Sequence, residues 1–129
     1  MFIVAEVCRG LSYAHRWTDR DGDVPNGLIH QDISPHNILV TFAGEIKLVD
    51  FGIARAESNQ VKTRTGMVKG KSGYMSPEQA LGRDLDGRSD QFALGIVLYE
   101  TLLGRHPFDR GSLARTLAAI QSDPLPAMV

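Results

Sequence analysis

The sequence predicts a mainly α-helical domain carrying one small β-hairpin. Three observations lead there. Residues 88 to 104, "RSDQFALGIVLYETLLG", are apolar on nearly every side of a helix, the pattern of a buried rod. In residues 2 to 16, apolar side chains recur every three to four positions, the pattern of an amphipathic helix. Between them, "ILV" (38–40) and "EIKLV" (45–49) flank "TFAG", which reads as two short strands and their turn.

Taken in order, the first helix puts Ile3, Val4, Val7, Cys8, Leu11 and Ala14 on one face, so Cys8 is expected as a buried thiol. "TDRDGDVPNG" (18–27) is a polar loop. Its Asp19, Asp21 and Asp23 imitate a calcium loop, but Val24 and His30 stand where that loop needs Gly and Glu. After the hairpin, residues from Asp50 to about Gly73 lack apolar periodicity, and a loop of that length is ordinarily functional or disordered. "SPEQAL" opens a short helix, with Ser76 as cap, Pro77 in the first turn and Glu78 at the positive end. Gly104 ends the central rod, "RHPF" turns the chain, and Ser112 caps a last amphipathic helix over 112–120.

Bulk composition narrows the function classes. Of the 129 residues, 43% are hydrophobic and 22% charged, ordinary for a globular domain. With a formal charge of -1, nothing argues for a nucleic-acid surface. No run reaches the ~18 apolar residues of a membrane span. With Cys8 as the lone cysteine, no intramolecular disulfide forms; a reducing, cytoplasmic location is expected.

The chemistry gathers in "HQDISPHNILV" (30–40) and "LVDFGIA" (48–54). Asp32 and Asn37 enter the first strand and Asp50 leaves the second. In a hairpin those two points are neighbours, so a carboxylate and an amide oxygen meet at one sheet end with a second carboxylate nearby. Hard oxygen donors so placed suit Mg²⁺ shared with phosphate oxygens. A carboxylate that is not a ligand is left to accept a proton from an attacking hydroxyl. One Asp or Asn alone is ordinarily a turn former; three at this spacing, with Pro35 and the Phe51–Gly52 pair, point to chemistry.

"HQDISPHN" resembles the catalytic loop of protein kinases, "DFG" their metal-binding triplet, "SPE" the end of their activation segment, and "DGRSDQFALGIVLYETLLGRHPF" their buried central helix. The order and spacing are the family's over roughly residues 1 to 121, and "SPHN" and "GYMSPEQ" resemble its bacterial serine/threonine branch. The resemblance implies ATP-dependent phosphoryl transfer to hydroxyls of a protein substrate. Asp32 would orient and deprotonate the hydroxyl, and Asn37 and Asp50 would hold Mg²⁺ against the ATP phosphates. Leu39 would floor the adenine pocket, and His30 and Phe51 would stack beneath the triplet that Gly52 completes. Asp90 would accept backbone N–H bonds from the catalytic loop, the alternative being a plain helix cap.

Three departures qualify the resemblance. Gln31 replaces the Arg that clamps a phosphate on the activation loop, so phosphorylation at Thr63, Thr65 or Ser72 is not expected to act through it. Ser34 stands where the family places a Lys, and Lys71 where it places a Thr; the implied exchange gives Lys71 the charge and Ser34 the hydroxyl. Finally, no glycine-rich strand pair with its lysine is present. The expectation is therefore a partial catalytic domain over 1–129, the larger lobe without the smaller, truncated at both ends and inactive alone. Glu78 is then expected to lack its family arginine, and part of the central helix to be uncovered. Rival readings are a non-catalytic scaffold of the same fold and a small-molecule kinase; "SPE" and the long segment before it disfavour the latter.

Overall fold

A computed structural model describes residues 2–17, 27–52 and 72–127. Four helices and a two-stranded antiparallel sheet follow in the order α1 (Phe2–Arg16), β1 (Ile38–Val40), β2 (Ile46–Leu48), α2 (Pro77–Ala80), α3 (Gly87–Leu103) and α4 (Leu113–Ser122). Short 3-10 turns at Pro35–Asn37 and Ser72–Tyr74 were not evident in the sequence.

The predicted end signals operate. Ser76 closes a capping box with Gln79, and Ser112 accepts the Arg115 N–H. Gly104 takes the left-handed conformation that ends α3 (φ 66°). The N-cap of α3 is Asp86, which accepts the Arg88 N–H; Asp90 is not its cap. In the hairpin, Thr41 N–H donates to Glu45 O at 2.9 Å, and Gly44 supplies a φ of +82°. The register pairs Ile38 with Leu48 and Val40 with Ile46.

The core lies where α1 packs on β2 and α3, and where α4 packs on α2 and on the 72–74 turn that sits against α3. Val7 and Leu11 meet Ile33, Ala93, Leu94, Ile96 and Val97, and Phe108, Ala119 and Ile120 close the other end. Burying a Val, Leu, Ile or Phe side chain contributes roughly 1.5–3 kcal/mol, so this cluster orders the loops threaded between its members. One expectation is corrected: Cys8 is exposed, and Ile3 is 41% exposed. The buried stripe of α1 centres on Val7, Leu11 and Ala14. Cys8 lies one residue, about 100° of arc, past Val7 and falls outside it. On α3, Gln91, Gly95 and Leu102 face outward, so the rod is not covered all round. Among the described residues no helix is long and apolar enough to cross a membrane.

Candidate active site

The loop between α1 and β1 is organised by one carboxylate. Asp90, in the first turn of α3, is buried. Its Oδ1 accepts the Gln31 N–H at 2.8 Å; its Oδ2 accepts the His30 N–H at 2.8 Å and His15 Nε2 at 2.7 Å. A buried carboxylate is tolerable only with such donors. His15 reaches Asp90 from the last turn of α1, against Gly27 and Gly87. A Cβ at Gly27 would lie 1.9 Å from the His15 carbonyl oxygen, and one at Gly87 would lie 2.6 Å from His15 Nδ1. Sequence reasoning missed His15; nothing local distinguishes it from any histidine ending a helix.

His30 joins the two strand mouths. Its Nδ1 accepts the Asp32 N–H at 3.2 Å, so Nε2 carries the proton and donates to Val49 O at 3.0 Å. Its carbonyl oxygen accepts the Gly52 N–H at 2.7 Å. The ring lies 4.3 Å from that of Phe51, tilted 42°. Burial lowers the His30 pKa, although the Val49 carbonyl and the Asp90, Asp32 and Asp50 carboxylates pull it upward. All three carboxylates therefore act on one neutral imidazole.

Asn37 completes the group. Its Nδ2 donates to the Asp32 carbonyl oxygen at 2.8 Å and to Asp32 Oδ2 at 3.0 Å. Both amide hydrogens are thereby used, and Oδ1 is the atom left for a cation. Val49 N–H donates to Asn37 O at 3.0 Å, extending the ladder to the residue before Asp50. Gln31 (φ 66°) and Asp50 (φ 57°) are the non-glycine residues with left-handed backbone among those described, and they flank the group on both sides. Such conformations cost of order 1–3 kcal/mol and gather where surroundings over-determine them.

Other predicted residues are placed as follows. Ser34 is buried, and its Oγ has no partner among the described residues. Leu39 faces outward on β1, half exposed and opposite Lys47. Gly52 packs so tightly that a Cβ would lie 2.9 Å from His30 O. Glu78 accepts the Ser89 hydroxyl, its side-chain partner across to α3. Burial raises the Glu78 pKa, but bonds from Ser89, its own backbone and Ser76 outweigh this and leave it lowered. Lys71, Thr63 and Thr65 lie outside the described residues, as does the Ser72 side chain.

Can this donor set hold magnesium? Among the described residues no three His, Cys, Asp or Glu side chains converge as a self-sufficient metal site. One carboxylate and one amide oxygen at a strand mouth fit Mg²⁺, which takes few protein ligands and completes its shell with water and phosphate oxygens.

A second anchored region follows. Tyr74 OH donates to Glu100; burial first, then that carboxylate, push the Tyr74 pKa strongly upward. His106 Nδ1 accepts the Phe108 N–H at 3.1 Å, so its Nε2–H donates to Gly73 O at 3.0 Å. These residues border a cavity of about 410 Å³ shared with His36 and Thr116.

Comparison with known proteins identifies the family. The family model described as "Protein kinase domain" matches residues 1–125. Tyrosine-protein kinase MasK of Myxococcus xanthus is 48% identical over 125 residues, covering 96% of this chain and 19% of MasK. Serine/threonine-protein kinase PknB of Mycobacterium tuberculosis is 39% identical over 127 residues, with the same coverages. Serine/threonine-protein kinases drp72 of Corynebacterium efficiens is 41% identical over 126 residues, covering 98% of this chain and 22% of that protein. The chain thus spans about a fifth of the length of these bacterial relatives. With the family model matching nearly all its length, and the loop, triplet and central helix in the family's order, the chain belongs to the protein kinase domain family.

Proposed function

We propose that residues 1–129 form the larger lobe of a cytoplasmic kinase that moves the γ-phosphoryl group of ATP to serine or threonine hydroxyls of a protein substrate. The observation that carries this reading is the Asn37 amide bonded to Asp32 at the mouth of the hairpin, with the Asp50 carboxylate acting on the same histidine. Asp32 accepts the hydroxyl proton as the new bond from the hydroxyl oxygen to the γ-phosphorus forms and the bond from that phosphorus to the bridging oxygen breaks, releasing ADP. Asn37 Oδ1 and Asp50 would hold Mg²⁺, which would supply neutralisation of phosphate charge. Leu39 presents an apolar surface for the adenine. His30, Phe51 and Gly52 hold the two strand mouths together, Asp90 braces the catalytic loop from α3, and Glu78 ties α2 to α3 through Ser89.

Transfer needs charge on both sides of the nucleotide. These 129 residues carry no glycine-rich strand pair with its lysine, so the proposal assigns that half to another segment of the full-length protein. Ser34, buried and with a hydroxyl unpartnered among the described residues, supports the reading in which it supplies the hydroxyl and Lys71 the positive charge that other kinases carry at position 34. Serine/threonine acceptors are preferred because "SPHN" and "GYMSPEQ" resemble that branch, although MasK's name specifies tyrosine.

The test uses the full-length protein. Mg²⁺-dependent ATP binding and transfer to a serine- or threonine-containing protein are expected. Asp32→Asn should cut turnover by at least about 100-fold while ATP binding persists. Lys71→Met should also lower turnover steeply with ATP affinity nearly intact. Nucleotide binding that ignores Mg²⁺, or none, would leave the scaffold reading, for which the uncharged Gln31 already speaks.

A further inference from the structure

One cross-link between α2 and the catalytic loop has no part in the chemistry proposed above. Gln79 is the third residue of α2. Its Oε1 accepts the Ser76 N–H at 3.0 Å, and its own N–H donates to Ser76 Oγ at 3.3 Å. With the oxygen used in that cap, the side-chain amide keeps its hydrogens for something else. Its Nε2 donates to the Gln31 carbonyl oxygen at 2.8 Å, joining positions 48 residues apart.

Gln31 is the left-handed residue beside Asp32. Its N–H is fixed by Asp90 Oδ1 and its carbonyl by Gln79, so both peptide planes meeting at its Cα are pinned. The second plane contains the Asp32 N–H, which bonds to His30 Nδ1. Because the peptide is rigid, whatever holds the Gln31 carbonyl also sets the direction in which Asp32 leaves the chain. Asp90 fixes only the first plane; the second is held at its N–H by His30 Nδ1, at a long 3.2 Å, and at its carbonyl by Gln79 at 2.8 Å.

We propose that Gln79 is a positioning residue for Asp32, its amide locking the 31–32 peptide and making the seating of α2 a condition for the orientation of the loop. This rests on the reading of Asp32 as the proton acceptor. A displacement of the 72–80 segment withdraws the amide and releases that peptide, so the segment regulates the site through a neutral hydrogen bond and needs no charge at position 31.

Gln79→Glu removes the donor in the full-length protein, and Gln79→Met removes it without adding a charge, so both should loosen the 31–32 peptide. Glu keeps the oxygen that caps Ser76 and loses the N–H that reaches Gln31. Residue-resolved amide exchange should then quicken at Gln31 and Asp32 by about tenfold or more, the equivalent of one net hydrogen bond. In Gln79→Glu, Ala80 and Leu81 should exchange as in the wild type. Turnover should fall with KM for ATP held. Exchange at Gln31 and Asp32 within about twofold of wild type would overturn the proposal. Ser76→Ala guards against an indirect effect: it frays α2 but leaves the amide, so Asp32 should stay more protected than in Gln79→Glu. Equal exposure of Asp32 in both variants means that the helix, not the amide, holds the loop, and sinks the idea. A wild-type protein without phosphoryl transfer defeats the kinase reading, while the exchange data still decide whether Gln79 holds the peptide.

Discussion

His30 and His106 build the same corner in two places. Each accepts, at Nδ1, the N–H two residues ahead, and each donates from Nε2 to a carbonyl on a distant segment: Val49 for His30, Gly73 for His106. Each ring rests on an aromatic neighbour, Phe51 at 4.3 Å and Tyr74 edge-on at 5.2 Å. Each has a glycine packed against it, Gly52 and Gly73. They differ in surroundings. His30 is wholly buried among three carboxylates, whereas His106 is partly exposed at the edge of a cavity. A neutral imidazole whose two nitrogens are both committed is thus a general way to splice two loops. Only in the dry corner does it also settle where charged groups stand.

The largest test of that contrast is Asp90→Ala. It strips the acceptor from two backbone N–H groups, one buried and one part-buried, and from His15, and should cost about 3–5 kcal/mol, read as a fall in the urea midpoint at unchanged slope. An equal loss from any single change at the His106 corner would remove the distinction between the two.

Next comes His30→Gln, expected to cost about 2–3 kcal/mol for leaving buried backbone groups poorly paired; His106→Gln should cost about 1 kcal/mol. The first also changes the pH profile. The folded pKa of His30 is lowered, so below about pH 6.5 the unfolded chain takes up a proton that the folded chain refuses. Stability therefore falls as pH drops through that value towards the folded pKa. Protonation would also place a donor on Nδ1 facing the Asp32 N–H. Denaturation of the wild type and His30→Gln across pH 5 to 8 should show a shallower acid-side decline in the variant. Parallel curves would mean that His30 is not the group responsible.

The glycines give the smallest and sharpest test. A Cβ at 52 would press on His30 backbone oxygen at 2.9 Å, which cannot move without the loop. At 73 it would meet His106 Nε2 at 3.3 Å, the end of a side chain. Gly52→Ala should cost about 1–3 kcal/mol and Gly73→Ala under ~1 kcal/mol, compared by thermal or urea unfolding. The reverse order would show that the wet corner is the stiffer one.

How much of this was visible beforehand follows from range. Helix periodicity, the caps at Ser76 and Ser112, the Gly104 stop and the TFAG turn are local signals, and the structure places them within a residue or two of the expected bounds. Cys8 was misjudged because periodicity gives the phase of a buried stripe but not its width. The link from Asp90 to the catalytic loop entered through family resemblance, not through anything in the residues around it. His15 and Gln79 were not anticipated at all. Each acts on a segment far along the chain, and neither residue type, in a helix end or a cap, announces a distant partner. The 3-10 turns were hidden for a related reason: three residues are too few to show a period.

The bent-back residue at 31 has one more consequence. Among the described residues it is held through its main chain: the N–H is spoken for by Asp90, the carbonyl by Gln79, and the Gln side chain enters neither bond. Evolution can therefore exchange that side chain, charged for neutral, without redrawing the architecture beneath it. A control input tied to position 31 is detachable hardware, added or discarded while the machine underneath keeps its shape.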